Sequence, residues 1–335
     1  MRSNFLTATV ALAVTLLFTG CYHNMHDFAL DLEVESKDMR ATPLTLEADQ
    51  PGVKVMFDID TIAAPNPIKY RTFEDEKWSD WKTYSNKDTI TLINAGDRVQ
   101  FKGSNATYAH DLTESSHFKV WDKCYVYGNI MCLIDSVRYD TCTSLTGSYT
   151  FFSLFSENKS LDILSTKKLV LPAQRLTLFC YGYMFDDCTN LTSAPELPAT
   201  ELDSACYYSM FGSCKSLTSS PILPAQTLVY NCYLEMFYDC RKLSTVTCFA
   251  SDITASNCTN NWLKYAGSSI TYVKTFNALV GTPWQENSDS GIPTGWQRVD
   301  YSTGGTSDFS TGKEGEWVKK TKTTNLKLNN YEEFI

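Results

Sequence analysis

Three stretches of the chain are near copies at a strict 26-residue step. Cys180, Tyr181, Met184, Phe185, Cys188 and Leu191 recur as Cys206, Tyr207, Met210, Phe211, Cys214 and Leu217, and again as Cys232, Tyr233, Met236, Phe237, Cys240 and Leu243. A period of this size predicts stacked coils, each burying its apolar face only against its neighbours. Within one coil, Cys180, Met184, Cys188 and Leu191 fall at roughly 0, 40, 80 and 20 degrees on a helical wheel, a single apolar stripe. The reading is therefore a solenoid whose coils each combine a helical or turn-like arc with a short extended arm. Such an array presents a long regular surface suited to holding a partner rather than to catalysis.

The extended arms end in Leu-Pro-Ala at Leu171 to Ala173, Leu197 to Ala199 and Leu223 to Ala225. Proline donates no hydrogen bond, so a ladder of parallel strands must stop or bulge near Pro195 and Pro221, leaving a short strand around Leu191 to Ala194. One coil is longer, because Leu161 and Leu191 lie 30 residues apart. The period closes around Cys258, and Trp262, Trp284 and Trp296 with Gly291-Ile-Pro-Thr-Gly-Trp296 supply a turn and an aromatic lid.

Ahead of the repeats the pattern changes. Val53, Val55 and Phe57, then Ile68 and Tyr70, Ile90 and Leu92, and Val99 and Phe101 alternate with period two, which predicts a small antiparallel β-sandwich over residues 45–108. Residues 109–298 form the repeat region with its caps. A polar tail occupies 299–335 and an acidic tether 21–44.

Residues 1–20 carry Arg2, an apolar run from Phe5 to Phe18, and Thr19-Gly20 before Cys21. This pattern resembles a bacterial lipoprotein signal, which implies cleavage after Gly20 and a diacylglycerol on the Cys21 thiol. The apolar run is too short to span a bilayer. The implied address is the outer membrane, lipid-anchored and surface-exposed.

The 12 cysteines of an exported chain would ordinarily suggest disulfides, but six of them stand at two fixed places in the repeat. Equivalent residues of neighbouring coils lie about 4.8 Å apart with parallel Cβ vectors, whereas a disulfide wants Cβ atoms about 3.8 Å apart and turned toward each other. Buried free thiols fit better.

The Cys-Tyr, Met-Phe, Cys, Leu-Thr and Leu-Pro-Ala pattern resembles the BspA-like, Treponema-type leucine-rich repeat proteins of bacterial surfaces, over roughly residues 115 to 298. Tyr127-Gly-Asn-Ile-Met131 and the closing Gly-to-Trp296 segment look like entry and exit caps of that family. The resemblance implies a right-handed leucine-rich solenoid behind a β-module and an adhesive role toward host or microbial surface proteins or glycans. It implies no catalytic residues.

Other chemistry finds little support. The net charge of −9 comes without clustered Lys and Arg, which disfavours nucleic acid. None of the four histidines lies in the repeats or in a zinc-hydrolase spacing, and no nucleophile elbow or phosphate loop occurs. No enzyme activity, metal or cofactor is expected. Two sets of residues are candidates for binding. Thr192, Glu196, Thr218, Ser220, Ser244 and Thr247 would point outward from the short strands, and Trp78 and Trp81 could stack on a sugar, although both sets also suit ordinary solvated or core positions.

Overall fold

The computed structural model describes residues 39–301. The signal segment, the lipidation residue Cys21, the tether as far as Asp38 and the tail from residue 302 lie outside the described residues.

The first strands are β1 (Thr45–Ala48), β2 (Val53–Asp58), β3 (Lys69–Glu74), β4 (Lys77–Trp78), β5 (Lys82–Thr83), β6 (Thr89–Leu92) and β7 (Arg98–Lys102). They are followed by β8 (His117–Val120), β9 (Cys124–Asn129), β10 (Leu161–Asp162) and β11 (Leu169–Val170). A mixed sheet runs β10-β9-β1-β7-β3-β4, with β11 also on β9 and β5 also on β3, and a second sheet runs β6-β2-β8. The period-two alternation turns Leu46, Val99, Phe101 and Val126 inward, all fully buried. Phe57 of β2 meets them from the other sheet, 4.0 Å from Phe118 and 5.9 Å from Phe101 between ring centroids. Neither sheet ends at residue 108: β2 pairs with β8 and β1 with β9.

The repeats require a correction. The predicted right-handed leucine-rich solenoid is not the architecture found: the protein is nearly all sheet and turn, 3% helical and 29% strand, in mixed and parallel sheets, none closed, and of the helical or turn-like arcs expected the turn-like form is the one present. The arc from Phe179 to Cys188 is a run of turns. Even-numbered amides donate to the carbonyl three residues back, Cys180 to Thr177 at 3.2 Å and Met184 to Tyr181 at 3.3 Å. Odd-numbered amides donate across to the following repeat, Tyr181 to Cys206 at 3.0 Å, Tyr183 to Tyr208 at 2.7 Å and Phe185 to Met210 at 2.9 Å. Every fourth residue has positive φ: Phe179, Tyr183 and Asp187, then Ala205, Ser209 and Ser213, then Asn231, Glu235 and Asp239. A left-handed residue at that interval supplies the positive φ of a turn and forbids an α-helix. Spacing by four satisfies a helical wheel and a four-residue turn repeat alike, which is why the stripe misleads.

Residues 26 apart are nonetheless stacked. Phe155, Phe185, Phe211 and Phe237 form one column of nearly parallel rings 5.4 to 5.6 Å apart. Tyr181, Tyr207 and Tyr233 form a second, at 5.9 Å, continuing at 6.2 Å to Trp262. All these rings are buried. The cysteines make a third row, and Cys188, Cys214 and Cys240 each donate a thiol hydrogen to a carbonyl of the preceding repeat, at 3.0, 3.1 and 3.0 Å. The described cysteines are free. Burial pushes the Cys180, Cys232 and Cys248 thiols up to about 12.

No strand forms at Leu191 to Ala194. Apart from isolated parallel bridges such as Arg175 to Glu201, parallel strands resume in the sheet of β12 (Ser219–Leu223), β13 (Thr245–Cys248), β14 (Lys274–Leu279) and β15 (Trp296–Tyr301). Its register shifts between Ser219 and Ile222, the interval that holds Pro221. β15 runs into the expected tail as far as Tyr301. At this end Trp262 and Trp284 stack at 5.1 Å, their indole N–H groups donating to Gly291 and Ala250 carbonyls.

Candidate functional site

The outward residues of the repeats are held by their neighbours. Thr192 donates its hydroxyl and its amide to the Asp162 carboxylate at 2.9 and 2.8 Å. Glu196 pairs with Lys168 at 2.6 Å. Ser244 Oγ donates to the Thr218 carbonyl, Ser220 Oγ accepts the Thr247 amide, and Thr247 Oγ1 accepts from Asn277. These six residues lie at different levels of the stack and converge on no common point. Their polar groups cross-link successive repeats.

Trp78 and Trp81 also differ from the reading of free stacking platforms. The Arg71 guanidinium carbon lies 4.5 Å from the Trp78 ring and 4.6 Å from the Trp81 ring. Lys102 Nζ is 4.3 Å from the Trp81 ring as well, while Phe73 packs on Trp78 at 5.1 Å. Cations therefore occupy ring faces that a sugar would need. Tyr84, the third aromatic of that stretch, is buried and accepts the Phe57 amide at 2.8 Å.

A different tryptophan is open. Trp121, 51% exposed, follows β8 and lines a surface groove with Gly52, Lys54, Thr89, Thr91 and Asp122. The antiparallel registry places Lys54 opposite Thr91 and Met56 opposite Thr89, which brings both threonines to the outer face of this small sheet. The Trp121 amide donates to the Lys54 carbonyl at 3.3 Å, fixing the root of the indole against β2. No ring or cation contact covers the indole among the described residues. The groove thus joins one apolar ring face to two hydroxyls, a carboxylate and an ammonium. Sequence reasoning missed it because an isolated Trp-Asp-Lys after a strand reads as an ordinary polar turn.

One titratable cluster lies nearby in sequence but offers no nucleophile. His110 Nδ1 is 2.7 Å from Asp60 Oδ2, and its Nε2 is 3.3 Å from Asp111 Oδ2. The Asp60 hydrogen bond holds the imidazole pKa above its usual value. Both ring nitrogens face carboxylates, so the arrangement ties two loops together. Among the described residues no group of three His, Cys, Asp or Glu side chains is placed to hold a metal ion, and no helix is long and apolar enough to cross a membrane.

Comparison with protein families, curated proteins and solved structures returns no match.

Proposed function

We propose that this chain is a lipid-anchored bacterial surface protein that captures carbohydrate, and that the Trp121 groove is where the sugar sits. The single observation that carries the reading is the exposed Trp121 ring flanked by Lys54, Thr89, Thr91 and Asp122. The C–H face of a sugar ring is apolar and stacks on an indole, while its hydroxyls need donors and acceptors around the rim. The groove supplies both. The Cys21 lipidation pattern supports a surface address, and no enzyme activity is proposed. The repeats serve as a scaffold, since most of their outward hydroxyls already bond to groups of adjoining repeats.

The test is a glycan array probed with the folded ectodomain, followed by calorimetry on the best oligosaccharide. Trp121→Ala is expected to weaken that binding at least tenfold, with the melting temperature unchanged because the ring is exposed. Undiminished binding by the variant would remove the groove from consideration.

A second reading, adhesion to a host or microbial surface protein in the manner of the BspA-like family, draws on exposed apolar side chains at the parallel sheet. Ile222 on β12 is 51% exposed, and Tyr272 and Val273 lead into β14 at 62 and 65%. Point variants separate the readings, since cutting at residue 108 would sever the β2–β8 and β1–β9 pairings. Loss of binding on Ile222→Asp with Trp121→Ala silent would favour a protein partner.

A further inference from the structure

On the outer face of β3 and β7, alternate residues bring Lys69, Arg71 and Phe73 beside Lys102, Gln100 and Arg98, paired in that order. Arg71 is the centre of this patch. Its Nε donates to Gln100 Oε1 at 2.9 Å, which sets the plane of the guanidinium. Its guanidinium carbon lies 4.5 Å from the Trp78 ring and 4.6 Å from the Trp81 ring, so both indoles pack against it. An arginine held at Nε and packed against two indoles has lost much of its freedom before any ligand arrives. Burial lowers its pKa, but a guanidinium stays charged.

Several donors around it remain uncommitted. The terminal amino groups of Arg71 and the indole N–H groups of Trp78 and Trp81 make no hydrogen bond within the described residues, and Lys69 and Lys102 form no ion pair there. All are donors. Two acceptors of this sheet are committed: Gln100 Oε1 to Arg71, and the Glu47 carboxylate to Lys167 at 2.8 Å and to Tyr127 at 2.7 Å. A cluster of uncommitted donors around one fixed guanidinium, on a chain of net charge −9, marks a local site for an anion.

We propose that Arg71, packed against Trp78 and Trp81 and flanked by Lys69 and Lys102, is a carboxylate-binding site for an acidic polysaccharide of the polyuronate class. The planar fork takes one carboxylate through two parallel hydrogen bonds, and the lysines meet acids further along the polymer. Three features favour a polysaccharide. β3, which carries Arg71, is paired on both edges, to β7 on one side and to β4 and β5 on the other, so an acidic peptide cannot add to β3 itself as a strand. The tryptophan faces are taken by cations and by Phe73, so they cannot enter a bilayer as an apolar anchor. Arg71, Trp78 and Trp81 are only partly buried and Lys69 is exposed, which leaves the face accessible to an extended polymer. This site is separate from the Trp121 groove.

The experiment titrates the full ectodomain with polygalacturonate and with its fully methyl-esterified form, which keeps the chain and removes the charge. The unmodified polymer is expected to bind at least tenfold tighter than the ester, with an affinity that falls steeply as salt rises. Arg71→Lys, which keeps the charge and loses the fork, is expected to weaken binding tenfold or more. Equal binding of the ester, or full affinity in Arg71→Lys, overturns the proposal. So does tighter binding of poly-glutamate or of phosphatidylglycerol vesicles. Circular dichroism and a thermal melt establish that the variant is folded. Should Arg71→Lys fail that check, Lys69→Gln/Lys102→Gln decides, by a shallower salt dependence if the site is real and an unchanged one if it is not.

Discussion

Removing one ring from the phenylalanine column tests whether stacking between successive repeats holds the molecule together. Phe211 is fully buried and has a near-parallel neighbour on each side, Phe185 at 5.6 Å and Phe237 at 5.5 Å. Phe→Ala in a closed core costs about 3 to 5 kcal/mol through lost transfer energy and the cavity left behind. Each stacked pair adds about 0.5 to 1.5 kcal/mol beyond area. Two such pairs place Phe211→Ala toward the upper end, about 4 to 5 kcal/mol. Phe237 stacks on Phe211 and on no other ring, so Phe237→Ala should cost less by roughly one pair, about 1 kcal/mol. Urea unfolding monitored by circular dichroism reads both, with the slope m checked to stay constant. A double-mutant cycle between Phe185 and Phe211 should show coupling of about 0.5 to 1.5 kcal/mol, whereas Phe155 and Phe237, never in contact, should be additive. A cost below about 2 kcal/mol for Phe211→Ala, or an equal or larger one for Phe237→Ala, would refute the reasoning.

Three further outcomes follow from the same geometry. Burial pushes the Asp186 carboxyl up to about 6, reinforced by Asp187, Glu157 and Glu235 and partly offset by the Ser209 hydroxyl at 3.0 Å. The folded state then binds a proton more tightly than the unfolded chain, so this group's contribution is present below about pH 4 and lost as pH rises through 6; Asp186→Asn should raise the melting temperature at pH 8 and leave it unchanged at pH 4. Ser213 sits at φ 56°, so Ser213→Gly should stabilise by about 0.5 to 1 kcal/mol and Ser213→Val should destabilise by about 1 to 2, read as shifts in urea midpoint. Cys142 is the one described cysteine that is not buried, and a thiol reagent should modify it fast in the native protein and reach the other ten described cysteines only on unfolding; Cys142→Ser should abolish that fast phase.

The sequence carried some of this plainly and some of it misleadingly. The 26-residue step and the buried Cys, Tyr, Met and Phe positions were legible because every repeat must bury the same side chains against the next. The form of the arc was not, because Cys180, Met184 and Cys188 lie four apart, a spacing a helix and a run of turns both satisfy. The discriminating signal was present at the intervening positions. Asp187, Ser213, Asn231, Asp239, Asn257 and Asn261 fall at left-handed places, and Asp and Asn tolerate that conformation better than most residues. The binding candidates were harder. Nothing in a string of residues shows that Arg71 packs against Trp78 and Trp81, since that depends on β3 pairing with β4 and β5. Nor does it show that Tyr84 turns inward while Trp121 stays out.

The regular part of the molecule is poor ground for recognition for a physical reason. In the turn runs, alternate amides are used within a repeat and the others between repeats, and the outward hydroxyls bond along the stack, so few directed groups remain to meet a ligand. Departures from the period are where free or unusual groups appear. The long repeat has four extra residues between Leu161 and Leu-Pro-Ala, and there Lys167 crosses to Glu47, joining the repeats to the mixed sheet. The β3-β4-β5 hairpins, outside any repeat, produce the Arg71 clamp, and the exit of β8 produces Trp121. A stack that must satisfy every backbone group in register leaves specificity to the elements that need not repeat. Substitutions in the columns should therefore change stability with little effect on binding, and substitutions at Arg71 and Trp121 should do the reverse.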